Sequence, residues 1–288
     1  MIGDHLPACG ILVMGATGRL GRLLQAEWAG MDGRVIWQGR AGALRDGWIN
    51  WAPLEGPLSA DLPELVGGTV LCLSGVIAGD STALAANTAL AEAACETAER
   101  LGARRVLLAS SAAVYGRGHA DGSPLDEAAP PTPVSPYGEA KADMERALLG
   151  RQGVTSLRIG NILGADALVG AALQRGGTVT LDPVAGQTGG PERSYIGPGA
   201  LARVLAALCT YQGNLPQVLN IAAPGAVSMA ELLDAVGLPW RFGAANPAAL
   251  PRVELATARL EALFPRLAGS GDVAEMVADW RCAGKVWR

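Results

Sequence analysis

Short, nearly uninterrupted apolar runs alternate along the chain with longer Ala- and Leu-rich stretches of helical character. Interleaving of this kind marks a parallel sheet with covering helices. The pattern predicts strands over 10–14, 34–38, 69–74, 104–110, 156–159 and 218–221. It predicts helices near 20–29, 82–101, 137–149, 167–175 and 199–210. A further helix begins at Ser228, which stands as N-cap with Glu231 three residues on, the spacing of a capping box. The stretch 118–136 is rich in Pro, Gly and acidic residues and reads as a loop that delivers Tyr137 to the start of its helix. Beyond about residue 164 the alternation weakens and Gly and Pro become frequent. The expectation is an α/β chain with a doubly wound parallel sheet in a domain of 1–164. A smaller, less regular lobe follows over 165–288, with about 197–225 returning to the main domain.

Composition narrows the class of function. A chain of 288 residues can bury a substantial core, and half of its residues are hydrophobic while only 5% are aromatic. The net charge is −4, with no block of like charges, so neither a nucleic-acid groove nor an anionic membrane surface is expected as partner. No apolar run reaches the length of a membrane span, and no secretory leader is evident, so the expected localisation is cytoplasmic. Five scattered cysteines without a Cys-x-x-Cys pair point to reduced thiols rather than a disulfide framework or a zinc site. With only His5 and His119 available, histidine-based catalysis has almost nothing to draw on.

The first predicted strand runs directly into Gly15-Ala16-Thr17-Gly18-Arg19-Leu20-Gly21, which opens a helix. In that setting the glycines permit a tight turn and close backbone approach, and the helix N-terminus presents N–H groups to a pyrophosphate. The alternative is a purely structural strand-to-helix turn. The second strand ends in Gln38-Gly39-Arg40, without the acid that bonds the adenosine ribose and repels a 2′-phosphate. Arg40 either pairs with that phosphate, which predicts NADP in preference to NAD, or is a solvated turn residue.

Only two lysines occur in the chain, and one of them stands four places after a tyrosine in Tyr137-Gly138-Glu139-Ala140-Lys141. On a helix these two side chains share a face. A fixed positive charge beside a phenol lowers its pKa toward the operating range and makes it a usable proton donor and acceptor. The alternative is an ordinary surface lysine near a turn tyrosine.

Taken together, Gly15–Gly21, Ser110-Ser111-Ala112-Ala113-Val114-Tyr115-Gly116 and Tyr137–Lys141 resemble the extended short-chain dehydrogenase/reductase family, whose members include NAD(P)-dependent epimerases, dehydratases and reductases of nucleotide sugars. The resemblance is close over about 10–160 and thinner to about 225. It implies a Rossmann-type fold in which Ser111 bonds the reacting oxygen, Tyr137 exchanges the proton, and Lys141 holds the nicotinamide ribose and depresses the tyrosine pKa. By the same resemblance Asp61 and Leu62 contact the adenine, Ser74 and Gly75 line the cofactor, and Asn87 lies early in the long helix beside it. Asn161 matches the position flanking nicotinamide and substrate phosphate, and Arg193 the arginine that grips a nucleotide diphosphate. The chain departs from the family where Ser194 replaces an aspartate and Pro198-Gly199-Ala200 replaces Val-Asp-Asp.

The resemblance implies hydride transfer at a carbinol or carbonyl carbon of a small, sugar-like substrate, with NADP, or alternatively NAD, as cofactor. Dehydratases of the family carry an acid/base pair just after the catalytic serine; Ala112 and Ala113 stand there, which ranks dehydration low. Epimerisation and net reduction both remain open. So does a non-catalytic, NADP-sensing scaffold. The long 82–101 helix, with small residues at Ala85, Ala86, Ala89 and Ala93, implies a homodimer through the family's helix pairing.

Overall fold

The computed structural model describes residues 10–31, 34–40, 46–58 and 64–283. The first half alternates as the hydrophobic pattern predicts: β1 (Ile11–Met14), α1 (Arg19–Glu27), β2 (Val35–Gly39), β3 (Trp48–Asn50), β4 (Thr69–Cys72), α2 (Ser81–Leu101), β5 (Arg105–Ser111), α3 (Pro136–Ala147) and β6 (Val154–Ile159). Shorter elements follow: β7 (Asn161–Ile162), α4 (Val169–Arg175), β8 (Val179–Leu181), β9 (Glu192–Arg193), β10 (Tyr195–Ile196), α5 (Pro198–Thr210) and β11 (Val218–Ile221). The chain ends through β12 (Val227–Ser228), α6 (Met229–Val236), β13 (Trp240–Phe242), β14 (Arg252–Val253), α7 (Ala258–Leu263) and α8 (Val273–Ala283).

Seven strands form the main sheet in the order β11-β6-β5-β4-β1-β2-β3. β1 lies between β2 and β4, parallel to both, with Ile11 opposite Val35 and Thr69. The strand order reverses beside β1, which is the doubly wound arrangement. Every residue of β1 is at most 1% exposed, because helices cover both faces of a parallel sheet. The sequence pattern does not anticipate β3, whose three residues carry no extended apolar run.

By contact the chain divides into two compact units. One comprises the described part of Met1–Ser110, with Asp143–Ser156 and Ala206–Gln217. Its core joins Leu12, Met14, Val70, Cys72, Val106 and Leu108 of the strands to Ala91, Ala94, Cys95 and Ala98 of α2 and to Met144 and Leu148 of α3. Small residues on α2 let that helix lie close to the sheet. Arg105, 5% exposed, donates to the Leu208, Tyr211 and Gly213 carbonyls and so satisfies the last carbonyls of α5 and the turn beyond.

The other unit comprises Ser111–Ala142, Leu157–Leu205 and Val218–Arg288 as far as described. It holds three small sheets, β10-β7, β12-β9-β14 and β13-β8, around a core that includes Leu163, Tyr195, Leu232, Leu233 and Met276. α6 starts as the sequence predicts, with the Glu231 amide donating to Ser228 Oγ over 3.3 Å. α5 starts at Pro198, a residue suited to a first helical position. Its amides at Gly199 and Ala200 donate to Asp279 Oδ2 of α8 over 2.8 and 3.1 Å. Asp279 also pairs with Arg203 at 3.3 Å. This aspartate caps a helix that has no acid of its own in the first turn.

Asp279→Ala is expected to lower unfolding stability by about 1 kcal/mol, the usual worth of a helix cap. Urea denaturation of both proteins checks it; an unchanged midpoint would mean that water serves those amides equally well.

Candidate active site

Two local arrangements carry chemistry, one in each unit. The first is the turn between β1 and α1. Gly15 takes a left-handed conformation (φ +84°), and a Cβ there would lie 2.7 Å from the Ser74 amide nitrogen. Only glycine fits. Gly18, the N-cap of α1, supplies no side-chain cap, and the first turn of the helix holds no acid. A Cβ at Gly21 would meet the Ala16 carbonyl oxygen at 2.3 Å, so this third glycine sets helix-to-turn packing and faces away from the opening.

A pocket of about 350 Å³ opens at this turn. Gly15, Thr17, Gly18, Gln38, Gly39 and Arg40 line one side, and Leu73, Ser74, Gly75, Val76, Ala86 and Leu90 another. Ala52, Pro53, Leu54 and Glu55 complete the wall. The sequence reading missed these four residues and Gln38, because their role depends on the edge strand β3 and on side-chain bonds that no motif encodes. Arg19 and Leu20 belong to the first turn of α1 rather than to the lining. Asp61 and Leu62, expected against the adenine, lie outside the described residues. Asn87 is 1% exposed and spends its amide on the Val76 amide and carbonyl (3.2 and 2.9 Å) and on the Leu84 carbonyl. It therefore holds Val76, which does line the pocket.

A bare glycine turn, an uncapped helix N-terminus free of acid, and apolar walls suit the adenosine and pyrophosphate of a dinucleotide. The residues that would hold them are Gly15, Thr17 and Gly18 at the phosphates and Gly39, Arg40 and the 52–55 wall toward the adenosine.

The second arrangement is built on the turn 112–115 and the start of α3. Ser111 accepts from the Ala113 amide over 3.1 Å and caps that turn. Tyr115, 1% exposed, anchors it: its hydroxyl lies 2.8 Å from Asn220 Oδ1 and 3.0 Å from the Asp126 carbonyl, and the Arg158 guanidinium stacks 4.6 Å from the ring centre. α3 begins at Pro136, with the Gly138 amide donating to Ser135 Oγ over 3.1 Å. Ser before Pro at the first position is a strong helix start. A Cβ at Gly138 would lie 2.5 Å from the Ala113 carbonyl, so glycine after the tyrosine is what lets the helix meet the turn.

Ser111, Tyr137 and Lys141 come together there. The Ser111 hydroxyl is near enough to the Tyr137 phenol to act on its pKa, and Lys141 Nζ lies 5.9 Å from the Tyr137 ring centre. Lys141 is only 4% exposed. The electrostatics differ from the expectation of a depressed phenol. Burial pushes the Tyr137 pKa above its ordinary value, and the hydrogen bond with Ser111 opposes that rise. Beside Ser111, Ser110 donates to the buried carboxylate of Glu145 over 2.6 Å.

The remaining predicted residues lie on the small sheets. The backbone amide and the side chain of Asn161 both donate to the Ser194 carbonyl, over 3.0 and 3.2 Å. Arg193 donates to the Glu192 carbonyl over 2.7 Å, and burial holds its guanidinium below its ordinary range. Among the described residues no three His, Cys, Asp or Glu side chains are gathered as a metal would need, and no helix is long and apolar enough to cross a membrane.

The fold and the glycine turn define a Rossmann-type nucleotide-binding protein. The family model of the NAD-dependent epimerase/dehydratase family matches residues 11–222, and the chain belongs to that family. None of the curated proteins compared with the chain matches it. Solved structures similar to it include MoeE5 in complex with UDP-glucose and NAD, 22% identical with a TM-score of 0.71 over 96% of this chain and 98% of that one. The UDP-glucose 4-epimerase of Thermus thermophilus with NAD is 20% identical, with a TM-score of 0.67 over 94% and 99%. TunA, an NAD-dependent NDP-hexosamine 5,6-dehydratase of tunicamycin biosynthesis, is 19% identical, with a TM-score of 0.73 over 97% of each chain.

The raised phenol gives a spectroscopic expectation. With the folded value above the unfolded one, the proton on Tyr137 favours the fold, and that contribution is lost as pH climbs above about 10. The phenolate absorbance of the wild type minus that of Tyr137→Phe should show a midpoint above the ordinary tyrosine range. A midpoint below it would mean that Lys141 outweighs burial.

Proposed function

We propose that this protein is an NAD(P)-dependent oxidoreductase of the epimerase or reductase type, acting on a carbinol or carbonyl carbon of a nucleotide sugar. The observation that carries the reading is the convergence of Ser111, Tyr137 and Lys141, with the ammonium 5.9 Å from the ring centre and the Ser111 hydroxyl near enough to act on the phenol, in a chain that also builds a glycine turn suited to a dinucleotide. Bound nicotinamide supplies the hydride acceptor or donor. Ser111 and Tyr137 place hydroxyl donors where negative charge grows on the reacting oxygen, and Tyr137 completes the proton transfer. A phenol raised by burial is protonated near neutrality, the form that donates to an alkoxide. Withdrawing a proton from a carbinol needs the phenolate, and its stabilisation falls to Lys141 and Ser111.

The nucleotide-sugar class is supported by the family and by similar proteins bound to UDP-glucose or named for nucleotide sugars. Arg193 is the cation for the diphosphate and Asn161 a substrate contact. Dehydration is disfavoured because Ala112 and Ala113 provide no group to protonate a leaving hydroxyl, although one similar structure is a dehydratase. Arg40 in the pocket wall, with no acid ending β2, supports NADP over NAD. The partly exposed small residues of α2 (Ala85, Ala89 and Ala93) support a homodimer.

Incubation with UDP-hexoses and either dinucleotide tests the reaction: a new epimer without net change in cofactor absorbance marks an epimerase, and steady oxidation of the reduced cofactor a reductase. Tyr137→Phe is expected to lower turnover by about 10²- to 10⁴-fold with cofactor affinity nearly intact, and a wild-type rate would refute the role. Arg40→Ala is expected to reduce the NADP-to-NAD affinity ratio by about tenfold, the worth of one charge-assisted hydrogen bond. An unchanged ratio in titrations of both cofactors would remove Arg40 from cofactor choice.

A further inference from the structure

Gln38 is the penultimate residue of β2, next to the strand end where dinucleotide-binding folds commonly place a ribose-binding acid. It is 2% exposed and borders the pocket. Its two amide ends are used differently. Oε1 accepts from the Gly15 amide over 2.8 Å, and Nε2 donates to the Trp51 carbonyl. The Trp51 indole in turn donates to the Gly56 carbonyl over 2.9 Å, and the Glu55 amide closes the turn onto the Ala52 carbonyl over 3.0 Å. One buried side chain thus ties the phosphate turn to Trp51, the residue that leads into the 52–55 wall of the pocket.

The position demands a group that accepts at one end and donates at the other. A primary amide does both, whereas an ionised carboxylate accepts only. An aspartate or glutamate here would set its charge against the Trp51 carbonyl and leave the wall untied. Residue 38 is therefore closed to an acid for a structural reason, independent of which cofactor the pocket prefers.

Building on the dinucleotide-binding reading above, we infer that Gln38 is a positioning residue. It fixes the spacing between the phosphate turn and the 52–55 wall, and so sets the affinity for NAD and NADP alike, leaving the choice between them to Arg40. A ribose ligand at this position would instead move the two affinities apart.

The test compares the full-length wild type with Gln38→Met, which keeps the size and removes both hydrogen bonds. Affinities for NAD and for NADP are measured by calorimetric titration, with hydrogen exchange followed along the backbone. The expected result is a loss of about tenfold for both dinucleotides at an unchanged ratio, with faster exchange confined to the phosphate turn and 51–56. Unchanged affinities, or a change in the ratio alone, would overturn the inference while leaving the dinucleotide reading in place. A wild type that binds neither dinucleotide would overturn that reading and the inference with it. Should Gln38→Met fail to fold, Gln38→Glu serves: it keeps the acceptor for Gly15 and loses the donor to Trp51. Weaker NAD binding by this variant supports the inference. Unchanged or tighter NAD binding, as a ribose-binding acid would give, overturns it.

Discussion

The approach of α3 to the 112–115 turn is the constraint on which the proposed chemistry depends. A methyl group at residue 138 would stand 2.5 Å from the Ala113 carbonyl, nearer than a carbon and an oxygen can come without displacing backbone. Glycine removes that obstacle, and Tyr137 then comes near enough for the Ser111 hydroxyl to act on its phenol. The turn cannot retreat, because Tyr115 is buried and hydrogen-bonded at its end, next to Val114, itself fully buried. Rigid backbone on both sides fixes two hydroxyls that would otherwise lose rotamer freedom only on binding substrate. Preorganisation of this kind is what makes hydrogen-bond donors effective toward a developing alkoxide.

Burial works against one part of that chemistry and for another. Removing Tyr137 from water disfavours its phenolate, so the phenol keeps its proton at neutral pH. The same removal strengthens each interaction the hydroxyl makes, since less water competes with Ser111. In the proposed reaction Tyr137 passes a proton in either direction and needs neither form too stable. Lys141, set on the same helix face and almost wholly buried, would in that reading be the charge that favours the phenolate.

Much of this was legible in the sequence because it is local. Strand and helix runs follow from hydrophobic period, with boundaries within a residue or two at most ends. The glycine turn and the tyrosine–lysine pair each lie within seven consecutive residues, so spacing alone conveys their geometry. What escaped reading depends on groups far apart in the chain. Gln38 meets Trp51 across a short edge strand, and Asp279 caps a helix that begins about eighty residues earlier. The raised phenol escaped for a different reason: charge spacing along a helix reveals a neighbour but not how deeply both groups are buried.

The two departures from the family pattern in the second unit now have structural explanations. Ser194 Oγ accepts from the Leu255 amide over 2.8 Å and donates to the Gly225 carbonyl over 3.3 Å, so the hydroxyl joins segments next to β14 and β12, the strands that flank β9. Its side chain is 3% exposed, where an ionised aspartate would need a cationic partner to offset its burial. In Pro198-Gly199-Ala200, which carries no acid, the first-turn amides of α5 are served from outside by the carboxylate of Asp279. Gly197 and Gly199 make room for it, since a Cβ at either would lie 2.3 or 2.6 Å from an Asp279 oxygen. Both substitutions alter how the scaffold is braced while Arg193 keeps its place on β9 with no carboxylate within salt-bridge distance among the described residues. A guanidinium held below its ordinary range by burial gains most from an incoming anion. The departures therefore speak to the architecture of this chain.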